Sequence, residues 1–413
     1  MTNQPPLFCA PRNLTRRQFI ARAGATAVAF NLVRPGLVRG ADTNSRITLG
    51  WMGCGGRGTW IADLFQKHGG YRIVAAHDYF QDKVDAFGDK FGVDKARRYT
   101  GLKGYLKMLE QKPDAVVIES PPYFHPVQAA AGVEAGCHVY LAKPIAVDVP
   151  GCRTIEDSGR KATQKRLTFL VDFQTRASAA YQEAVRRVHH GDIGKLVSGE
   201  AVYVCGPTWG GMSEFLQPNP KDPERRLRAW GLDRVLSGDV ITEQNIHALD
   251  VACWILGANP IKAYGTGGEA RGLGGTCWDH FAVIYQFPND VTLSFASKQL
   301  GQGIDDIMCR VYGTTGTIDT HYFGEVWVKG KEDAYNGGRM TNLYTDGAVN
   351  NIATFHQNIM RGDFENPTVP ESVRSNLTTI LGRTAAYQRK EVTWEQMMKK
   401  NEKWEADLKG VKA

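Results

Sequence analysis

The stretch Arg46-Ile47-Thr48-Leu49-Gly50-Trp51-Met52-Gly53-Cys54-Gly55-Gly56-Arg57-Gly58 decides the fold of this 413-residue chain. An apolar strand, Arg46 to Met52, runs straight into G-x-G-x-x-G, and a helical pattern opens behind it at Thr59 to Gln66. The first glycine permits a tight turn and the second lets backbone approach a pyrophosphate. The third lets helix and strand pack, with phosphate at the helix N-terminus. The next apolar segment, Tyr71 to His77, ends at Asp78, 25 residues after Gly53. That is near the spacing of about 20 residues at which a carboxylate meets the adenosine ribose hydroxyls. A carboxylate there repels a ribose phosphate, so the expected cofactor is NAD rather than NADP, with Arg57 a partial offset. Gly53, Cys54, Gly55, Gly56, Arg57, Gly58 and Asp78 are the expected cofactor-binding residues.

Outward from this motif, apolar runs alternate with helical patterns, as in a parallel sheet wound with helices. Further strands are expected at Ala115 to Glu119, His138 to Leu141 and Leu167 to Asp172. Helices are expected at Asp82 to Phe91, Leu102 to Glu110, Pro126 to Ala135 and Gly151 to Ala162. After a helix at Ser178 to His190 the segments lengthen and alternate: Lys195 to Val204, His280 to Phe287, Val291 to Ser297 and Asp306 to Tyr312. Such alternation predicts a mostly antiparallel sheet in a second domain. The Pro- and Gly-rich piece from Gly206 to Pro223 reads as a long loop bordering a site. The expected fold is α/β. A Rossmann domain spans 41–165, and an α/β domain with a large, mostly antiparallel open sheet spans 166–413.

Net charge is +7, but residues 1 to 40 hold six arginines (Arg12, Arg16, Arg17, Arg22, Arg34, Arg39) and no lysine or acid. The remaining 44 basic and 43 acidic residues nearly cancel, which supplies little of the charge on which nucleic-acid affinity depends. Within the basic segment, Thr15-Arg16-Arg17-Gln18-Phe19-Ile20 opens a mildly apolar run to Val33, and Val38-Arg39-Gly40-Ala41 offers small residues for cleavage. This resembles a twin-arginine export signal over residues 1–40, implying the export machinery as a partner and a periplasmic or otherwise exported location; a basic tail is the alternative. No later stretch approaches the roughly 20 apolar residues of a membrane helix, so no stable membrane anchor is expected. Eight scattered cysteines without C-x-x-C, seven once Cys9 is removed, do not form a disulfide framework.

Glu243, His247, Asp250 and Trp254 fall on one face if a single helix runs through them, beside an apolar stripe of Ile246, Leu249 and Cys253. A histidine on such a buried face can accept a proton near neutral pH, with Glu243 orienting it. A metal held by Glu243, His247 and Asp250 is chemically conceivable, but no further ligand follows at metal spacing, so none is expected. Lys143 lies just past a strand end, where ligands sit in open parallel sheets; a solvated loop lysine is the other reading.

These segments together resemble the Gfo/Idh/MocA oxidoreductases. The likeness rests on Gly53 to Gly58 with Asp78; Ser120-Pro121-Pro122-Tyr123-Phe124-His125 leading to Ala135-Gly136-Cys137-His138-Val139; Ala142-Lys143-Pro144; and Glu243-Gln244-Asn245-Ile246-His247-Ala248-Leu249-Asp250. Gly191-Asp192-Ile193-Gly194-Lys195 and a tail with Val392-Thr393-Trp394 fit as well. The resemblance implies hydride transfer between NAD and a sugar, polyol or glycoside hydroxyl. Lys143 would bind the reacting hydroxyl beside the nicotinamide, His247 would take its proton and Glu243 would orient His247. It assigns Ser120, Pro121 and His125 to the loop touching the nicotinamide half, with Pro122 on the substrate side.

Two departures stand out. Ala142 replaces the usual acid before the lysine, and Glu243 occupies a position where the family places aspartate. Gln174 and Arg176, past a strand end, Asp250, and Trp230 with Trp209, in Gly- and Pro-rich loops, are further substrate candidates; Arg176 reads equally as an ion-pair partner, and tryptophan is ordinary core material. Three functions follow: a sugar oxidoreductase with tightly held NAD, a redox-neutral glycosidase working through a transient keto-sugar, or an inert sugar- and NAD-binding protein. The resemblance also implies a homo-oligomer, a dimer or tetramer, with the face of the open sheet buried against another subunit.

Overall fold

The computed structural model describes residues 46–330 and 334–413; the expected export signal lies outside them. The chain begins β1 (Ile47–Met52), α1 (Gly56–His68), β2 (Tyr71–His77), α2 (Gln81–Phe91), β3 (Arg98–Tyr99), α3 (Gly104–Leu109) and β4 (Ala115–Ile118). It continues with α4 (His125–Glu134), β5 (His138–Ala142), α5 (Val149–Gln164) and β6 (Phe169–Asp172). The six strands form one parallel sheet in the order β3-β2-β1-β4-β5-β6. β4 and β6 are buried at every residue, which is why they read as unbroken apolar runs. Strand order reverses between β1 and β4, so their C-terminal ends open the crevice in which doubly wound sheets bind ligands. β3 was not foreseen, because two residues are too few to show a period.

The second half adds α6 (Ala179–His190), β7 (Leu196–Cys205), the short helices α7 (Ser213–Leu216), α8 (Pro223–Arg228), α9 (Arg234–Ser237) and α10 (Asp239–Glu243), and α11 (Ile246–Leu256). β8 (Lys262–Gly268), β9 (His280–Gln286), β10 (Thr292–Gln299), β11 (Asp306–Gly313), β12 (Thr317–His321), β13 (Glu325–Lys329) and β14 (Ala334–Arg339) follow. α12 (Leu343–Arg361), α13 (Thr368–Gln388), β15 (Val392–Thr393) and α14 (Trp394–Lys400) complete the order. The nine-stranded sheet runs β14-β13-β12-β11-β7-β10-β9-β8-β15 and is antiparallel except where β10 lies parallel to β7. Its alternation is the one read from the sequence: Phe281, Val283 and Tyr285 of β9 face inward, while Ala282 and Ile284 face out.

Two late helices lock the frame around the crevice. α12 returns to the parallel sheet, packing Ala348, Ile352 and Phe355 into the core of β1, β2 and α1. On α13, Asn376 Oδ1 accepts from the Ile145 N–H at 3.1 Å, and its amide donates to the Ala146 carbonyl at 3.1 Å. Arg383, 2% exposed, donates to the carbonyls of Gly238 and Val147 at 2.7 Å each. Its guanidinium also lies 3.6 Å from the Trp404 ring centre. α13 thus ties the segment after Lys143 to the turn before α10. Arg383→Met strands two buried carbonyls at about 1–3 kcal/mol each, so the urea-unfolding free energy is expected to fall by at least about 2 kcal/mol.

Candidate active site

Glycine chemistry shapes one wall of a crevice of about 230 Å³. Gly53 takes φ +95°, and a Cβ there would stand 2.5 Å from the backbone of Glu119 and Ser120. A Cβ on Gly58 would lie 2.0 Å from the Gly53 carbonyl, so α1 could not seat against β1. On Gly55 and Gly56, by contrast, a Cβ would meet no protein atom within 4 Å. These two glycines keep open a cradle at the N-terminus of α1, where free N–H groups and the helix dipole suit a phosphate. Asp78 also lines the crevice, held by the N–H groups of Cys54 at 2.8 Å and Phe80 at 3.0 Å, and burial raises its pKa. The residues therefore fit a dinucleotide: pyrophosphate on Gly55 and Gly56, ribose hydroxyls on Asp78. Cys54 contributes backbone only, its thiol being buried against the His77 carbonyl.

Ser120 and Pro121 line the same crevice, and the Ser120 hydroxyl donates to Gln128 at 2.6 Å. His125 is buried behind them, Nδ1 2.8 Å from the Pro144 carbonyl and Nε2 2.6 Å from that of Ser120. Burial pushes its pKa down to about 4, making it a brace between the two loops. Pro122 is likewise buried, its carbonyl accepting the His125 N–H, and so supports the turn instead of meeting substrate.

Directly past β5, Lys143, whose bond to Pro144 is cis, is 6% exposed. Its ammonium donates to the Glu243 carbonyl at 2.5 Å and to Glu243 Oε1 at 3.3 Å. Burial lowers the lysine pKa, and Glu243 opposes the fall. His247, also 6% exposed, has its pKa lowered well below the usual value by burial and then by Lys143 and Arg57. Its Nδ1 has no partner, and its ring meets Tyr322 edge-on at 5.4 Å.

Two expectations change here. The single helix through Glu243 and His247 is two helices: α10 ends at Glu243 and α11 begins at Ile246. The break at Gln244 and Asn245 turns Glu243 onto Lys143, so the carboxylate anchors the lysine and does not orient the histidine.

Arg57 also differs from its expected part. Its side chain leaves the phosphate cradle and inserts between Glu119 (Nε to Oε2, 3.0 Å) and Asp172 (NH2 to Oδ2, 2.6 Å), and it donates to the Tyr344 hydroxyl at 2.7 Å. Both carboxylates are fully buried, and they hold the guanidinium charged against the opposing effect of burial. Glu119 is pushed up to about 7, burial outweighing Arg57. Gln174, fully buried, donates to Asp172 at 2.9 Å and so supports this clasp, while its Oε1 has no protein partner.

Arg176 and Asp250 are committed to each other: Nε and NH2 each lie 2.9 Å from a carboxylate oxygen. Ser375 completes the carboxylate at 2.7 Å, and Arg176 adds Glu371 at 2.6 Å and the Trp254 ring at 5.1 Å. With every polar group engaged, this pair is structural and not substrate-binding. Trp230 lines the dinucleotide crevice instead of a sugar pocket and packs on Trp209 at 5.1 Å. Sequence reasoning missed Glu119 and Asp172, although each ends an expected strand, and Tyr322 and Tyr344, which no local motif marks.

Fold and site together define a dinucleotide-binding protein of the two-domain oxidoreductase type. Residues 47–173 match the family model described as "Oxidoreductase family, NAD-binding Rossmann fold", and residues 181–319 match the GFO/IDH/MocA C-terminal domain. The chain belongs to the Gfo/Idh/MocA oxidoreductase family. It is 25% identical over 230 residues to the D-glucoside 3-dehydrogenase of Escherichia coli, covering 55% of this chain and 58% of that one. It is 26% identical over 222 residues to the alpha-N-acetylgalactosaminidase of Shewanella oneidensis, covering 48% and 47%. The match thus spans about half the length of these curated relatives. Among solved structures, the scyllo-inositol dehydrogenase of Lactobacillus casei with bound NAD(H) and scyllo-inositol superimposes with a TM-score of 0.66 at 20% identity, covering 85% of this chain and 99% of that one. The aldose-aldose oxidoreductase of Caulobacter crescentus gives 0.67 at 17%, covering 84% and 99%. Both share the fold.

Asp250→Asn leaves the buried Arg176 short of its counter-charge, at a cost of about 3–5 kcal/mol for breaking such a pair. The expected result is a lowered melting temperature with the KM of the folded fraction unchanged; a raised KM at full stability would return Asp250 to the substrate.

Proposed function

We propose that this protein is an NAD-dependent oxidoreductase acting on a secondary hydroxyl of a sugar, polyol or glycoside. The observation that carries the reading is a buried lysine held by a carboxylate next to a neutral histidine whose buried Nδ1 has no partner, in the same strand-end region as a crevice built for a dinucleotide. NAD in that crevice would supply the hydride acceptor. His247 is uncharged at neutral pH and takes the hydroxyl proton, while the Lys143 ammonium stabilises the alkoxide from which hydride leaves. As CH–OH becomes C=O, bound NAD would accept the hydride and His247 would hold the proton. Glu243 holds the lysine tip in place and maintains its charge.

Asp78 supports NAD over NADP, since its carboxylate lies where a ribose phosphate would sit. Export by the twin-arginine route, as the segment around Arg16 and Arg17 suggests, favours a retained cofactor. Retention with the match to an alpha-N-acetylgalactosaminidase supports a second reading, redox-neutral glycoside cleavage through a transient keto-sugar. We further propose a homo-oligomer through the outer face of the nine-stranded sheet. There Tyr264 (54%), Ile284 (51%) and Val197 (49%) are exposed, and Tyr264 and Ile284 are paired across β8 and β9. Light scattering should return a dimer or tetramer; a monomer contradicts this.

The test is one cuvette with the mature protein and chromogenic glycosides, following nicotinamide reduction and aglycone release together. Lasting reduction without release, relieved by a keto-sugar, supports the oxidoreductase. Release without accumulated NADH supports the glycosidase, and silence across sugars favours an inert binding protein.

His247→Ala and Lys143→Ala should each lower kcat by about 100- to 10,000-fold. In the wild type, kcat/KM should fall on acidification only below the ordinary histidine value of about 6.5, because burial and neighbouring cations depress His247. Glu243→Gln removes the charge that raises the Lys143 pKa, so any alkaline limb set by that lysine should move to lower pH. Asp78→Ala should weaken NAD+ about tenfold, as loss of 1.4 kcal/mol would do, and narrow its advantage over NADP+ in a binding titration.

A further inference from the structure

The outer wall of the dinucleotide crevice comes from the second half of the chain. Opposite Gly53, Gly55 and Asp78 stand Met212, Phe215, Leu227 and Arg228, carried by α7, α8 and the turn before them. Phe215 is 42% exposed although it lines the crevice, an apolar ring with an open face. This wall is fastened at three points to the loop that follows Asp78. Arg228 donates to both oxygens of Asp82 at 2.9 and 3.2 Å, and its guanidinium lies 3.9 Å over the Phe80 ring. The Tyr79 hydroxyl donates to Glu224 at 2.5 Å. The C-terminal residues cross the same spot: the Lys412 N–H donates to the Tyr79 hydroxyl at 3.1 Å, the Lys412 carbonyl accepts from Leu102 at 3.1 Å, and the Lys412 ammonium reaches Thr100 at 2.6 Å.

A Rossmann domain alone binds the adenosine half in the open crevice at the carboxyl ends of its strands, so a ligand there leaves without disturbing anything else. In this chain the end of the crevice marked by Asp78 is roofed, and each fastening joins a residue of segment 79–82, which runs into the first turn of α2, or of segment 100–102 to one beyond 212. We propose that α7, α8 and the C-terminal residues form a cap that reads the adenosine half of the cofactor and retains it, with Phe215 and Leu227 covering the base and Arg228 holding the cap shut. Release of the dinucleotide then requires the Arg228–Asp82 and Tyr79–Glu224 contacts to open, so the cofactor stays through many turnovers. This rests on the dinucleotide reading above and adds to it the residues that decide the residence time.

The probe is NADH bound to the full mature chain, chased with excess NAD+ while nicotinamide fluorescence is followed. Arg228→Ala, and separately Asp82→Asn, which leaves Arg228 in place and removes only its partner's charge, should each speed NADH release by tenfold or more. Tyr79→Phe combined with Asp82→Asn should speed it further. Release within twofold of wild type in both single variants, each folded by circular dichroism, overturns the cap while leaving the cofactor assignment standing. Failure of the wild-type chain to bind NADH at all overturns the cofactor assignment and the cap with it.

Discussion

Two cations gathered beside one crevice set the terms for the rest of the molecule. Lys143 is buried just past β5, and Arg57, on the first turn of α1, reaches the ends of β4 and β6 with its side chain 25% exposed; an isolated buried charge costs several kcal/mol. The fold meets that cost with three carboxylates brought from distant points of the chain. Glu119 comes from the end of β4, Asp172 from the end of β6 and Glu243 from the end of α10. Each must arrive in register, which requires the parallel sheet, the break between α10 and α11, and the late helix α13 that ties their loops together.

The absent acid at position 142 belongs to the same balance. Ala142 pairs across the sheet with Asp172 on one side, and the β4–β5 pairing that joins Ile118 to Leu141 puts Glu119 next to it on the other. A carboxylate at the central position would face two others at once. Here the negative charge flanks that place on both sides, and Arg57 spans the gap. The lysine thus has electrostatic support, drawn from Glu243 and from Asp172.

The sequence made the parallel sheet legible because its signals are local: a strand, a glycine turn and a helix follow one another in a few residues, and strands buried on both faces read as apolar runs. Asp78 and Lys143 were legible for the same reason, each standing just past a strand. Glu243 was found but given the wrong partner, since helical spacing assumes an unbroken helix and nothing in Gln244-Asn245 announces the break. Arg57 was read as part of the phosphate loop, although its partners lie 62 and 115 residues away. Tyr322 and Tyr344 reach the site through long-range packing that leaves no periodic trace.

Burial alone therefore does not separate chemistry from architecture in this protein, because both kinds of ion pair are buried. What separates them is how completely their polar atoms are used. Asp250 accepts from Arg176 and Ser375, and Arg176 is shared further with Glu371 and the Trp254 ring, so nothing remains to offer a ligand. Around Lys143 the opposite holds: Glu243 Oε2, His247 Nδ1, both amide atoms of Asn245 and the Tyr322 hydroxyl have no protein partner. Unused buried donors and acceptors are costly in a folded protein, at about 1–3 kcal/mol each. Beside two cations such a cluster is completed by water or by a ligand from outside the chain, and the polyhydroxylated substrate proposed above would offer donors and acceptors on every carbon.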